Sequence, residues 1–547
     1  MADKSDGRKI RKILITVIII LIAGLAFTAF MYFQQSDDGL ALEGVSVDGI
    51  DISGMTKDEA LAATSKVEQD VLNKVELSID FDGEISKFTA TDLGLTTDYS
   101  QVIDQAMAYG HNGSFFERIK AADDTKKQGK DFTVTVHADR DKVADVLLPM
   151  KEKVDKQPVD ASLEFMPRGY LEDGTAYKPD EQALIEDCAD GEQIDLPGDI
   201  SRTPENEAPN KLRYQYWQND HYVEDYTPEQ ADVSRFFYKD GENGRAIDME
   251  SVVDSVVSEV ENGSYDTIVA PVEQIKPKVT ADDLKKQTQL VASWTSSYSN
   301  HANYNRNWNV AKLSSIVNGV VIQPGEEWSI NKEAGNRTVS SGWKEAAGIV
   351  NGGYVQQAGG GVCQISSTLY NAAIRSALEI TDSTHHSIQS DYIPLGLDAT
   401  ISSGSPDLKI KNPNSTPIYV VSYVNPKDKN VTVEVYGQTV VDPKYGDVIL
   451  DFSFKDGGTF GSPVMQMVYN TPVAPDNTPI PAGGAYEYAK TRPGKSVETF
   501  IHYLSLDGTE LGVDTFHNYK WNPINGTTYV NGPDPANPWA TPTPAAG

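Results

Sequence analysis

The chain has 547 residues, 39% hydrophobic and 23% charged, which is ordinary globular material for several domains of ~100–200 residues each and excludes a disordered chain or a single core. A formal net charge of −32 argues against nucleic acid as a partner, because neutralising phosphates takes clustered Lys and Arg. The two cysteines, Cys188 and Cys363, are too few for a disulfide framework; either they pair with each other, or Cys363 is a free thiol kept for chemistry.

Lys4, Arg8, Lys9, Arg11 and Lys12 precede an uncharged apolar run from Ile13 to Phe33. At ~1.5 Å rise per residue that run crosses a hydrocarbon core of ~30 Å. The flanking positive charge keeps residues 1–12 as a cytoplasmic tail, with everything after Gln34 exported. The expectation is a single-pass anchor at 13–33 in the cytoplasmic membrane, N-terminus inside and the bulk on the cell-wall side. A cleaved signal peptide, with Ala26-Phe-Thr-Ala29 as its cleavage site, is the alternative.

From 44 to 159, strand-like and helix-like patterns alternate. Val45-Ser-Val47 and Val75-Glu-Leu-Ser-Ile79 repeat every second residue, and Thr56 with Glu59 marks the start of a helix running towards Asn73. Residues 92–115 then align without gaps to 242–265: Gly94 meets Gly244, Asp98 meets Asp248, Val102 meets Val252, and Asn112-Gly-Ser114 meets Asn262-Gly-Ser264. This predicts two copies of one α+β module, at 44–159 and 160–275. In each, Asp98 or Asp248 caps a helix that ends at the Asn-Gly turn. The polar stretch 166–234, which contains Cys188, reads as a surface insertion in the second copy.

A linker at 276–279 and a helix start at Thr280-Ala-Asp-Asp283 open a compact mixed α+β domain at 280–438. Residues 439–530 are β-rich, with a hairpin signal at Ser505-Leu-Asp-Gly508, and 533–547 read as a disordered Pro-rich tail. The predicted fold class is therefore α+β and multidomain, behind an N-terminal transmembrane helix.

The chemistry concentrates in Ala358-Gly-Gly-Gly-Val-Cys363-Gln-Ile-Ser-Ser-Thr-Leu-Tyr370. Three glycines free the backbone for unusual φ/ψ and let a second chain segment approach closely. Ile365, Leu369, Ala372 and Ala373 then follow helical spacing, so a helix starts at about Val362 with Cys363 in its first turn. A helix N-terminus favours thiolate, and the amides of Gly360, Gly361 and Gln364 are candidate oxyanion donors. His385-His386-Ser387 follows after a turn, which makes His386 the candidate base. Asp398, or else Asp407, would orient the imidazole, and Asp398 is favoured. The competing structural readings are a small buried hydrophobe for Cys363 and a satisfied turn for the His pair. A metal site is disfavoured, since Cys363 and two adjacent histidines lack a fourth ligand; no cofactor is expected.

With Tyr304-Asn-Arg306-Asn-Trp-Asn309, Asn318-Gly-Val-Val-Ile-Gln-Pro-Gly-Glu-Glu-Trp-Ser-Ile-Asn331, Gly335-Asn-Arg337-Thr338, His386-Ser387, Asp398-Ala-Thr400 and Asp407-Leu-Lys-Ile-Lys-Asn412, this core makes residues 285–437 resemble the VanW family. The modules at 44–275 resemble the peptidoglycan-binding repeats that usually precede that domain, and 485–530 resembles a G5-type β module. The resemblance implies a cell-wall protein of a family associated with vancomycin resistance, with peptidoglycan as its partner. For some members it implies L,D-transpeptidase activity. On that basis Cys363 attacks a stem-peptide carbonyl and His386 serves as base and then acid. The alternative is a non-catalytic wall-binding scaffold. One departure stands out: where the family often has an Arg shortly before the His-Ser pair, this chain has Asp382. If that Arg holds a substrate carboxylate in relatives, its task here falls to Arg306, Arg337 or Arg375, or is absent.

Overall fold

A computed structural model describes residues 6–34, 39–202, 213–223, 226–228, 230–350 and 353–537. The expectations for residues 1–5 of the cytoplasmic tail, for 203–212 of the insertion and for 538–547 of the tail lie outside the described residues. The N-terminal helix is Asp6–Gln34. Its stretch Arg8–Thr28, with mean hydropathy 2.4, is long and apolar enough to cross a membrane. Length and composition fit an anchor and a signal sequence equally.

The rest forms two compact units. The first comprises residues up to 159 together with 242–277; the second comprises 160–241 and 278–547. In the first unit, Thr56 caps the helix Lys57–Lys74 with the reciprocal Glu59 bond that its sequence signature predicts. The aligned repeat becomes two helices, Tyr99–Ala108 and Met249–Glu261, each following a short strand, Thr96–Thr97 or Gly244–Ile247. They serve different cores. Tyr99 and Ile103 pack with Val45, Val47 and Ile52. Val252, Val256 and Val260 instead pack with Leu77, Ile79 and Leu147, and Ile268–Val269 pairs in parallel with Glu76–Phe81. Only Asp248 caps as expected, accepting the Ser251 N–H at 3.2 Å. The Asp98 carboxylate takes the Thr135 N–H at 2.8 Å instead. Pairing of Thr97 with Val136 brings that amide alongside.

The described residues of 160–241 are neither a surface insertion nor part of a module with 242–275. They build the second unit, whose centre is a six-stranded sheet. Its order is His221–Val223, Tyr214–Gln218, Gln289–Ser297, Asn430–Gly437, Ile418–Asn425 and Val321–Ile322. Tyr214–Gln218 joins Gln289–Ser297 in parallel, whereas the neighbours from there to Val321–Ile322 run antiparallel. Both faces of the central strands are buried; Ile418–Asn425 reads as a near-continuous apolar run, whereas Asn430–Gly437 alternates Val with buried Thr432 and Glu434. On one face Val431, Val433 and Val435 pack with Leu313, Ile365 and Leu369 of the helices Tyr304–Val317 and Cys363–Arg375. On the other, Tyr419, Tyr423 and Tyr436 pack against Phe236 and Phe165, which belong to the antiparallel pair Ser162–Phe165 with Phe236–Lys239. The helix Glu181–Asp190 lies on Tyr304–Val317, and Ser315 donates to Glu181 at 2.6 Å.

Beyond the sheet come two three-stranded sheets. Ile449–Phe460, Gly494–Leu504 and Glu510–Trp521 form one; Met465–Val468, Gly526–Val530 and Ala485–Ala489 form the other. The hairpin read at Ser505-Leu-Asp-Gly508 turns with Gly508 at φ 91°. At 534–537 the chain makes a turn, Asn537 N–H donating to Asp534 O at 2.9 Å.

Candidate functional site

Cys363 is the first residue of the helix Cys363–Arg375, and no side chain caps that helix. The helix then does two jobs. Its apolar residues enter the core, while its polar residues grip a distant loop. Ser366 donates to Ala399 O at 2.6 Å, Ser367 accepts from Ala399 N at 3.0 Å, and Asn371 donates to Leu397 O at 2.7 Å. All three side chains are fully buried, so each bond is made away from competing water. The grip sets Asp398 and Thr400 beside Cys363. Asp398 in turn receives the His386 N–H at 2.7 Å and His386 Nδ1 at 2.6 Å. With Nδ1 committed, Nε2 is the imidazole nitrogen left for the thiol.

The electrostatics follow from this packing. Burial pushes the half-buried Cys363 thiol up. The bond and charge of His386, with Thr400 Oγ1 at 3.4 Å and the Ile401 amide at 3.5 Å, more than offset it and bring the thiol down to about 7. Burial also works against an imidazolium at His386, yet Tyr392, Asp398 and Cys363 together hold its pKa well above the usual range. Asp398, despite burial, is held well below the usual carboxylate range by His385 and His386. The lowered thiol and the raised imidazole both lean towards a thiolate–imidazolium pair over a carboxylate, and its protons come off as properties of the pair.

The site opens on a cleft of about 1010 Å³, lined by Cys363, His386, the glycine loop and the hairpin Glu345–Val350 with Gly353–Ala358. Glycine is required along that loop by close approach. A Cβ on Gly360 would lie 2.2 Å from Ala346 O, and one on Gly361, at φ 99°, would lie 2.7 Å from Arg306 Cγ. Buried Asn309 ties the loop down, donating to Gly360 O at 2.9 Å and Lys344 O at 2.8 Å.

The candidate residues separate here. Cys363, His386 and Asp398 come together. Asp407 lies elsewhere, accepting from Ser329 at 2.6 Å. Gly360 and Gln364 are corrected as oxyanion donors: their amides donate to Gln357 O and Gly361 O, each at 3.1 Å. The buried Gln364 side chain also bridges Arg306 and Ser296 at 2.9 and 3.0 Å. The amides of Gly361, which stays a candidate donor, and of Cys363 have no hydrogen-bond acceptor among the described residues. Arg306 and Arg337 line the cleft, whereas Arg375 is buried away from it, stacked on Trp294 at 4.1 Å and paired with Asp451 at 3.4 Å. Both cysteines are free thiols.

Other contributors escaped sequence reasoning. His385 shares Asp398 at 2.9 Å, and Trp521 donates to His386 O at 2.8 Å from the last strand of its sheet. Asp391, beside His301 at 3.0 Å, stands on the cleft rim. Thr400 alone carried a signal, its place two residues after Asp398.

Residues 305–436 match the family described as VanW like protein; this stretch contains Arg306, Arg337, Cys363, His386, Asp398 and Thr400. Residues 86–171 match a proposed peptidoglycan binding domain. Over 154 residues the chain is 36% identical to the uncharacterized protein YoaR of Bacillus subtilis, covering 28% of this chain and 50% of the relative. Over 192 residues it is 27% identical to the vancomycin B-type resistance protein VanW of Enterococcus faecalis, covering 34% and 60%. The chain thus spans about half the length of the curated relatives it matches. The crystal structure of HP0197-G5 aligns over 16% of this chain and 99% of its own length, at 12% identity and a TM-score of 0.09. That score carries no argument about fold, and the G5 likeness rests on sequence. The chain is therefore similar to VanW and YoaR: its stretch matching the VanW model contains Cys363, His386 and Asp398, and a stretch matching a peptidoglycan-binding model precedes it.

Proposed function

We propose that this cell-wall-associated protein is a cysteine L,D-transpeptidase, anchored in the cytoplasmic membrane by its N-terminal helix and cross-linking peptidoglycan stem peptides on the outer side. The observation that carries the reading is the Cys363–His386–Asp398 arrangement at the floor of an open cleft, with the thiol lowered to about 7. The Cys363 sulfur attacks the donor carbonyl, and the amides of Gly361 and Cys363 hold the oxyanion. His386 gives its proton to the departing amine, which leaves a thioester. The acceptor amine then attacks that thioester and passes its proton back to His386; the thiolate departs and an amide cross-link remains. The peptidoglycan-binding domain raises the local concentration of the polymeric substrate.

Intact-mass spectrometry of the detergent-solubilised full chain, incubated with a stem tetrapeptide, tests this. Wild type gains the acyl mass, less the released terminal residue, and yields a cross-linked dimer; Cys363→Ala gains nothing. If neither protein shows adduct or product while both still sediment with purified wall, the chain is a wall-binding scaffold.

A further inference from the structure

Two buried cations face the same cleft, and neither has a carboxylate within salt-bridge distance among the described residues. Arg306 is 6% exposed and Arg337 8%. Each makes one bond to a neutral side chain: Arg306 Nη2 to Gln364 Oε1 at 2.9 Å, and Arg337 Nη2 to Asn331 Oδ1 at 2.8 Å. The Nη1 of each is buried and donates to no acceptor among the described residues. Among the described residues neither guanidinium forms a salt bridge, although Asp and Glu outnumber Lys and Arg 79 to 47 in the chain. Burying a charge without a counter-charge is strongly unfavourable, so a folded protein keeps such a pair where a ligand completes it.

Their placement indicates which ligand group that is. Arg337 lies against Gly359 and Arg306 against Gly361, so the two side chains flank the glycine loop that leads to the nucleophile. Burial pushes both guanidiniums down; Tyr392, Asp391, Tyr298 and Cys363 offset part of that at Arg306, and Cys363 and Asp407 offset part of it at Arg337. In a peptide whose scissile bond is its last, the terminal carboxylate sits one residue beyond the attacked carbonyl. Guanidiniums hold carboxylates with matched donor geometry.

We infer that Arg306 and Arg337 form a carboxylate clamp that recognises the free C-terminal carboxylate of the donor peptide and so restricts the cleft to the terminal peptide bond. The substrate assignment rests on the transpeptidase reading, but the clamp is a binding property that stands or falls by itself.

The test uses the full chain in detergent with Cys363→Ala to block turnover. Calorimetric titration compares a stem tetrapeptide bearing a free C-terminal carboxylate with the same peptide as its C-terminal amide, every side-chain carboxylate unchanged. Amidation is expected to weaken binding about tenfold or more. Arg306→Gln or Arg337→Gln should weaken the acid by a similar factor and leave the amide unchanged. Equal binding of acid and amide overturns the clamp and points to a side-chain carboxylate; so does an equal loss of both forms in the arginine variants, or no binding of either peptide. The acid–amide comparison on unaltered arginines holds even if a variant misfolds. Loss of the covalent adduct with the acid preference intact removes the transpeptidase reading alone, whereas equal adduct from acid and amide removes the clamp alone.

Discussion

The two cysteines of this chain form an internal control. Cys188 sits near the end of the helix Glu181–Asp190, 4% exposed and packed in the core with Trp217 and Leu313. Burial pushes its thiol up to about 12. Burial pushes Cys363 up as well, yet its thiol is at about 7. The difference lies in what faces the sulfur: an imidazolium held by a buried carboxylate, a hydroxyl, an amide and the start of a helix in place of its end. A cysteine becomes reactive by its partners, and sequence position shows only some of them.

Removing a partner should make Cys363 resemble Cys188, and the largest effect is expected from Asp398→Asn. The amide cannot fix His386 in the tautomer that leaves Nε2 for the thiol, nor stabilise the imidazolium. Acyl-adduct formation should fall by about 10²–10⁴-fold, measured as the rate of mass gain with the stem tetrapeptide. Thermal melting alongside must show the fold retained. An unchanged rate would mean that the carboxylate serves only to hold the loop.

A smaller effect distinguishes the cysteines without any substrate. Alkylation by iodoacetamide needs thiolate, which appears as pH rises through the thiol's pKa. Native Cys363 should therefore label with a midpoint near 7, and Cys188 should label only after unfolding. Peptide-resolved mass spectrometry across pH 5–10 measures both. A Cys363 midpoint at or above ~8.5, the value of a free thiol, would remove the ion pair.

Local patterns carried more of the site than of the fold. The helix from Cys363 was legible because Ile365, Leu369 and Ala372 repeat at its period, and His386 and Asp398 because they stand in short polar runs with few other uses. The Gly360 and Gln364 amides could not be excluded from sequence, because their carbonyl partners are set by a tight turn. Trp521 bonds His386 across 135 residues of chain, and nothing local in Tyr519-Lys-Trp521 advertises that contact. The segment 160–241 misled for a different reason. Its Asp, Glu and Pro content suggests surface, whereas Tyr214, Trp217 and Phe236 bury their rings and its strand pairs in parallel with a partner 79 residues away, Trp217 with Ser296. Parallel pairing is non-local by construction, so no hairpin signal announces it.

The smallest expected effect completes the contrast from the Cys188 side. That thiol fills space in the core and meets the helix Tyr304–Val317, which carries Arg306 at its start. Cys188→Ala removes one sulfur and leaves a cavity, at a cost of about 1–2 kcal/mol in unfolding free energy, read as a lowered denaturation midpoint with an unchanged slope. Because no atom of Cys188 reaches the cleft, the adduct rate and the pH midpoint of Cys363 should stay as in wild type. A shift in that midpoint would mean that packing beneath Arg306 tunes the thiol through the helix, and the two cysteines would then be coupled.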